Sequence, residues 1–200
     1  MGVYELSGAG SLKTPRTVYS SMNGNNQFGA MVPIASAIGD GVNRVTFNNI
    51  PQTFQDLMLV AFARSVTGAA GDALDFLINN VSSGGLYTAT YLRGDGSAAG
   101  SGAYSTNVGY PQCPMPGAGA TSGVYASSVW HILNYANSTT FKTVLNRAAQ
   151  DLNGSGRTDI AISLYRSTSS VTRFDFIADS GANFVAGSTF TLYGIRAVSS

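Results

Sequence analysis

One stretch, DLMLVAFARSV at residues 56–66, limits what this chain can fold into more than any other. Seven apolar residues run from Leu57 through Met58, Leu59, Val60, Ala61, Phe62 and Ala63 before Arg64 interrupts them. A segment apolar on both parities needs cover on both faces, as in the middle of a sheet or the core strand of a sandwich. Pro51 stands upstream, Gly68 and Gly71 downstream, and no capping residue sits where a helix would need one. The pattern predicts a central β-strand.

The rest of the chain reads as its partners. Residues 42–47 alternate partly and stop before Pro51. In LDFLINNV (74–81), Leu74, Phe76 and Ile78 share one parity. LYTATYLR (86–93) is a polar-aromatic strand ended by Gly94-Asp95-Gly96. Further strands are expected at 124–134, 158–166, 171–178 and 188–195, while 141–150 fits a strand or a short helix. In TDIAISLY, Ile160, Ile162 and Leu164 alternate with small or polar residues. Residues 94–123, rich in Gly, Ser and Ala with three prolines, read as a long loop or irregular edge. Eight or nine strands with no long helices between them predict an all-β fold, an antiparallel β-sandwich of jelly-roll type.

Residues 1–40 differ. Gly, Asn and Pro recur every few positions, yet Leu12, Val18, Tyr19, Met22 and Phe28 are spaced along the segment, with Lys13 and Arg16 among them. That is an extended N-terminal arm able to lie across a neighbour, followed by a sandwich domain at 41–200.

Composition narrows the function. Charged residues are only 10% of the chain, against about 25% in ordinary soluble proteins. Such a surface repels its own copies weakly, which suits permanent burial in an assembly. The net charge is +1, with no basic stripe of the kind a nucleic acid backbone requires. No apolar run reaches the ~18 residues of a membrane helix, and the first residues lack the pattern of a secretory leader. Neither nucleic acid nor membrane is an expected partner. Cys113 is the single cysteine, so no disulfide framework exists within the chain.

Chemistry-bearing residues are few. His131, the one histidine, sits beside Trp130 in an apolar strand without an evident catalytic partner. Glu5 is the one glutamate, and the aspartates stand mostly at strand ends. Asp72 with Asp75, or Asp159 with Asp175, would be the carboxylate pairs of a glycosidase, but nothing in the sequence specifies either. Asp151, Asn153, Ser155 and Asp159 with Gly156 match the start of a calcium loop, yet Ile162 stands where its last carboxylate belongs and Asn153-Gly154 explains the same residues as a hairpin turn. The reading is no catalytic set, no metal and no cofactor. Tyr87, Tyr91, Tyr104, Tyr110, Tyr125 and Tyr135 cluster in or near the loop-rich middle. Of these, Tyr104 and Tyr110 are the candidates for stacking on a glycan.

Four segments carry a family likeness. Phe47, Ile50, Pro51, Phe54, Asp56 and Leu57 resemble the opening of sandwich domains in tailed-phage virion proteins. Asn134-Tyr135-Ala136-Asn137 resembles a second segment of those domains, residues 188–195 their closing strand, and Leu12–Thr17 with Asn23-Gly24-Asn25 their N-termini. The resemblance implies a non-enzymatic jelly-roll subunit on the virion exterior, made in the host cytoplasm. Its expected partners are itself, as a homotrimer, and virion proteins such as the major capsid protein. In that setting Leu12, Lys13, Arg16, Val18, Tyr19, Met22 and Phe28 would attach the arm. A capsid decoration (cement) protein is one form; a tail fibre or receptor-binding protein recognising host surface glycans is the other.

Overall fold

The computed structural model describes residues 30–82, 85–107 and 113–197. Twelve strands and no helix occur among them: β1 (Met31–Ile38), β2 (Arg44–Phe47), β3 (Asp56–Ala63), β4 (Gly71–Ile78), β5 (Tyr87–Gly94), β6 (Ala99–Asn107), β7 (Cys113–Pro116), β8 (Ala126–Ile132), β9 (Lys142–Asp151), β10 (Gly156–Tyr165), β11 (Phe174–Ala178) and β12 (Thr189–Ile195). They form two antiparallel sheets. The long one runs β1-β12-β3-β8-β9-β10-β5-β6 and the short one β2-β11-β4-β7.

Setting aside β5, β6, β9 and β10 leaves β1-β12-β3-β8 facing β2-β11-β4-β7. That is the double Greek key of a jelly roll. The four remaining strands are two hairpins inserted at separate points in the chain. They meet because β10 pairs with β5, from Thr158↔Gly94 to Tyr165↔Tyr87. Together they extend the long sheet beyond β8. The run read first from the sequence is β3, third in that sheet between β12 and β8. Leu57, Leu59, Ala61 and Ala63 point into the core, and Met58, Val60 and Phe62 point to the other side.

Between the sheets lies an aromatic layer. Phe76 stacks on Phe174 at 5.0 Å and on Trp130 at 5.9 Å, and Phe176 meets Phe190 at 5.1 Å. All five rings are at most 1% exposed. Aromatic side chains bury the largest areas of any residue, so this layer dominates the apolar driving force. At one end Arg64 donates to the carbonyls of Thr121 (2.6 Å), Ala120 (2.9 Å) and Val124 (3.0 Å), fixing the chain between β7 and β8.

Several expectations change. Residues 31–38, assigned to the arm, form β1 and pair with β12, so strand pairing starts at Met31 rather than after residue 40. Pro33 and the register shift between Pro33 and Ala35 hid this strand. Residues 94–123 contain β6, at the edge of the long sheet, and β7 instead of one long loop, while 142–151 is a strand, the first of the two forms its sequence fits. The Asn153-Gly154 hairpin joins β9 to β10 as expected, with both residues at positive φ (66° and 102°).

Three of the four segments that carry the family likeness meet at one joint, the fourth lying outside the described residues. Tyr135 donates its hydroxyl to the Pro51 carbonyl, and Asp56 Oδ1 accepts the Asn134 N–H at 2.7 Å. The Phe54 ring lies over Gly194, where a Cβ would stand 2.4–2.5 Å from ring carbons. Gly194→Ala should therefore push Phe54 off β12 and cost about 1–3 kcal/mol, the usual penalty of overpacking. Urea unfolding of the variant checks this, and an unchanged midpoint would show that the ring is free to move away.

Candidate functional site

Residues proposed for the arm (Leu12, Lys13, Arg16, Val18, Tyr19, Met22 and Phe28) and Tyr110 lie outside the described residues. Tyr104 is described, and its ring stacks on Tyr91 at 5.3 Å. Tyr91 in turn lies against Gly102 of the neighbouring strand and carries the Arg93 guanidinium 4.4 Å from its centroid. This group braces the β5–β6 pair from within. Tyr87 and Tyr135, also counted among the loop aromatics, are fully buried. The Tyr87 hydroxyl takes the Ile78 N–H at 3.0 Å and donates to the Val81 carbonyl at 2.9 Å.

Other chemistry-bearing residues are held in structural roles. Cys113 is buried beside the Asn146 amide, and burial pushes its thiol up to about 12. His131 Nε2 lies 3.2 Å from Asp56 Oδ2. Asp159 faces inward, 3.0 Å from Arg157 Nε and 3.7 Å from Arg93, while Asp151 sits exposed at the hairpin end, its Oδ1 accepting the Asn153 N–H. The two ends of the calcium-like pattern thus face different surroundings. Asp175 is fully buried on β11, with Arg173 at 2.7 Å and Arg44 at 3.5 Å, so it does not join Asp159 on the long sheet as a carboxylate pair. Among the described residues no group of three or more His, Cys, Asp or Glu is placed to hold a metal.

The outer face of the long sheet is the feature without a structural explanation. Its register fixes which side chains adjoin. One row crosses Tyr193, Met58, His131, Leu145, Ile162 and Thr90; the next crosses Thr191, Val60, Val129, Arg147, Ile160 and Leu92. On β10, between Asp159 and Ser163, the usual arrangement is inverted. Asp159, Ala161 and Ser163 turn inward and are buried, whereas Ile160 is 58% and Ile162 50% exposed. Leu92, Leu145 and Phe62 are exposed beside them, Phe62 stacking on Tyr125 at 4.7 Å. From β3 to β5 the charged members of this face are Arg147, the His131–Asp56 pair and, at the hairpin end, Asp151.

Five strands at ~4.8 Å spacing, each with about four outward positions ~6.6 Å apart, make a face on the order of 500 Å². Its apolar members, Leu92, Leu145, Ile160 and Ile162 foremost, share it with Thr88, Thr90, Thr143, Thr158 and Arg147. The face is also dished. A groove of about 360 Å³ is lined by Thr88, Thr90, Ala103, Thr143, Ile162 and Leu164, and by Tyr104, the described member of the glycan candidates. A wider depression of about 630 Å³ lies at the hairpin end, against Tyr125, Ser127, Ala149 and Thr158, with Asp95, Asp151 and Arg157 lining it. Hydrogen bonds from Ala98 and Ser97 hold the Asp95 carboxyl at about 2, so it stays anionic.

Sequence reasoning did not pick out this face, although its signal was present. Ile160 and Ile162 alternate with an aspartate, an alanine and a serine, and a buried carboxylate on the inner parity leaves the isoleucines outside. Comparison with known proteins finds no matching family model, no matching curated protein and no matching solved structure.

Proposed function

We propose that this chain is a non-enzymatic structural subunit of a phage particle, set on the exterior of the head as a decoration protein over the major capsid lattice. The carrying observation is the outer face of the long sheet, which exposes Leu92, Leu145, Ile160 and Ile162 on paired strands. A face of this kind gains from being covered by another protein. Many modest contacts repeated around a lattice add up by avidity. The jelly-roll order supports the reading, since viral capsid domains use it, as do lectins. The likeness to phage sandwich domains supports it too, because three of its four segments meet in one joint of the fold.

The test is antibody-gold labelling of intact particles in the electron microscope. Gold spread evenly over heads is the expected result. Gold confined to tails would overturn the decoration role and favour a tail fibre or receptor-binding protein, with Tyr104 beside Tyr91 and Arg93 as the place to look for glycan contact. Particles without gold would overturn both.

A further inference from the structure

We infer that β6, the open edge of the long sheet, pairs antiparallel with β6 of a second copy of this chain about a two-fold axis at Gly102. This pairing goes beyond the assembly role above and does not depend on it.

The two sheets have four edge strands, β1 and β6 on the long one, β2 and β7 on the short one. An edge strand carries a row of unpaired N–H and C=O groups that another strand can join. Proteins usually blunt it with proline, charge, a bulge or shortness. Three of the four are blunted here. β1 has Pro33 and a register shift between Pro33 and Ala35. β2 is four residues long and begins at Arg44, and β7 is four residues long with Pro114 and Pro116. β6 has none of these devices. It runs nine residues, AGSGAYSTN, without a proline or a charge, and Ala99, Gly100, Ser101 and Ala103 are exposed. It is also the outermost of the four strands that carry the long sheet beyond β8, and among the described residues nothing pairs with its far side.

An open backbone edge selects a β-strand, and symmetry selects β6 itself. Two copies related by a two-fold axis bring the same edge together antiparallel, and the contact closes on itself. The dimer is then left with blunted edges only. A neutral strand also meets its own copy without repulsion between like charges. Side chains set the axis. Tyr91 stands where a Gly102 Cβ would be, whereas the Cβ position of Gly100 meets only the Arg93 stem, at 3.9 Å. An axis at Gly102 puts Tyr104 of each copy opposite Gly100 of the other on the inner side, an aromatic ring over an edge glycine. On the outer side it sets Ser101 against Ala103, both small. Leu92 adjoins Ser101 within each copy, so the two outer faces run together into one surface. That surface is on the order of 1,000 Å² by strand spacing, above the ~800 Å² a standard interface takes from one partner.

The experiment uses the full-length chain. Sedimentation at micromolar concentration is expected to give twice the mass of one chain. Replacing Ser101 and Ala103 together by lysine sets like charges opposite each other on both sides of the axis. That variant should return to the mass of one chain with its circular dichroism unchanged. Ser101→Cys and Ala103→Cys, made in separate copies, mixed and oxidised, read the register, and decide the matter if the lysine variant fails to fold. Positions directly opposite stand ~5 Å apart and diagonal ones ~7–8 Å, while a disulfide needs Cα atoms ~4.4–6.8 Å apart. A disulfide joining the two variants is therefore expected, and none joining two copies of either. Cys113 is fully buried and does not compete. Three results would overturn the pairing: a parent with the mass of one chain or of three; a folded lysine variant that keeps the parent's mass; or mixed cysteine variants that form no joint disulfide. If any of these is found while gold still decorates the heads, the assembly role stands and only the β6 contact is wrong.

Discussion

Asp75→Asn should make the protein more stable at pH 8 and flatten its stability between pH 4 and 8. Asp75 sits on β4 with its carboxyl pushed up to about 8, first by burial and then by the charge of Asp179 and a hydrogen bond to it, with Asp72 adding a smaller push. The backbone holds this arrangement, since the Asp179 N–H is bonded to the Ala73 carbonyl at 2.9 Å. The unfolded chain releases the Asp75 proton near pH 3.8, whereas the folded chain keeps it until about pH 8. Between those values the native state binds more protons than the unfolded one, so stability falls as pH rises. The distance from 3.8 to about 8 sets a ceiling of about 5 kcal/mol on the loss across the window. Asparagine is neutral at every pH and still offers a hydrogen bond to Asp179. Thermal unfolding of both proteins at pH 5 and pH 8 decides it. The variant is expected to gain several degrees relative to the parent at pH 8 and little at pH 5, and parallel curves would contradict this account.

The second large effect follows from the proposed decoration role. On that role, replacing Ile160 and Ile162 together by aspartate should abolish incorporation into particles while leaving the domain folded. Both side chains are half or more exposed in the isolated chain, so the substitution removes little core contact. Two carboxylates at the centre of the covered face would have to be buried without partners, at several kcal/mol each. Repeated at every site of a lattice, that penalty leaves no bound protein. Particle-bound protein is measured on a density gradient, and circular dichroism confirms the fold. Full occupancy by a folded variant would mean that another surface makes the attachment.

How far the sequence could be read depended on which side of a strand carried the apolar residues. Leu74, Phe76 and Ile78 on β4, and Phe190 and Leu192 on β12, point to the core, so their parity gave both strand and orientation. On β6, AGSGAYSTN has no large apolar residue on either parity. It pairs with β5 through its backbone, and Tyr91 fills the space over Gly102. No alternation was there to detect. On β9 the run Arg147-Ala148-Ala149 favours a helix by intrinsic propensity, and the flanking strands override it. The outer face stayed hidden because isoleucines on one parity ordinarily mark a core. Recognising the reverse needed Asp159 and Ser163 to be seen buried.

The position of β1 bears on when the subunit becomes competent. This strand leads directly out of residues 1–29, and its strand partner in the sheet is β12, the last strand of the chain. A growing polypeptide therefore carries β1 without its partner until residues 189–195 have left the ribosome. Contacts this far apart in sequence are also among the slowest to form, because the whole intervening loop must close first. A chain cut short of residue 189 leaves the edge of the long sheet open on that side, with β1 and β3 both lacking the strand that sits between them.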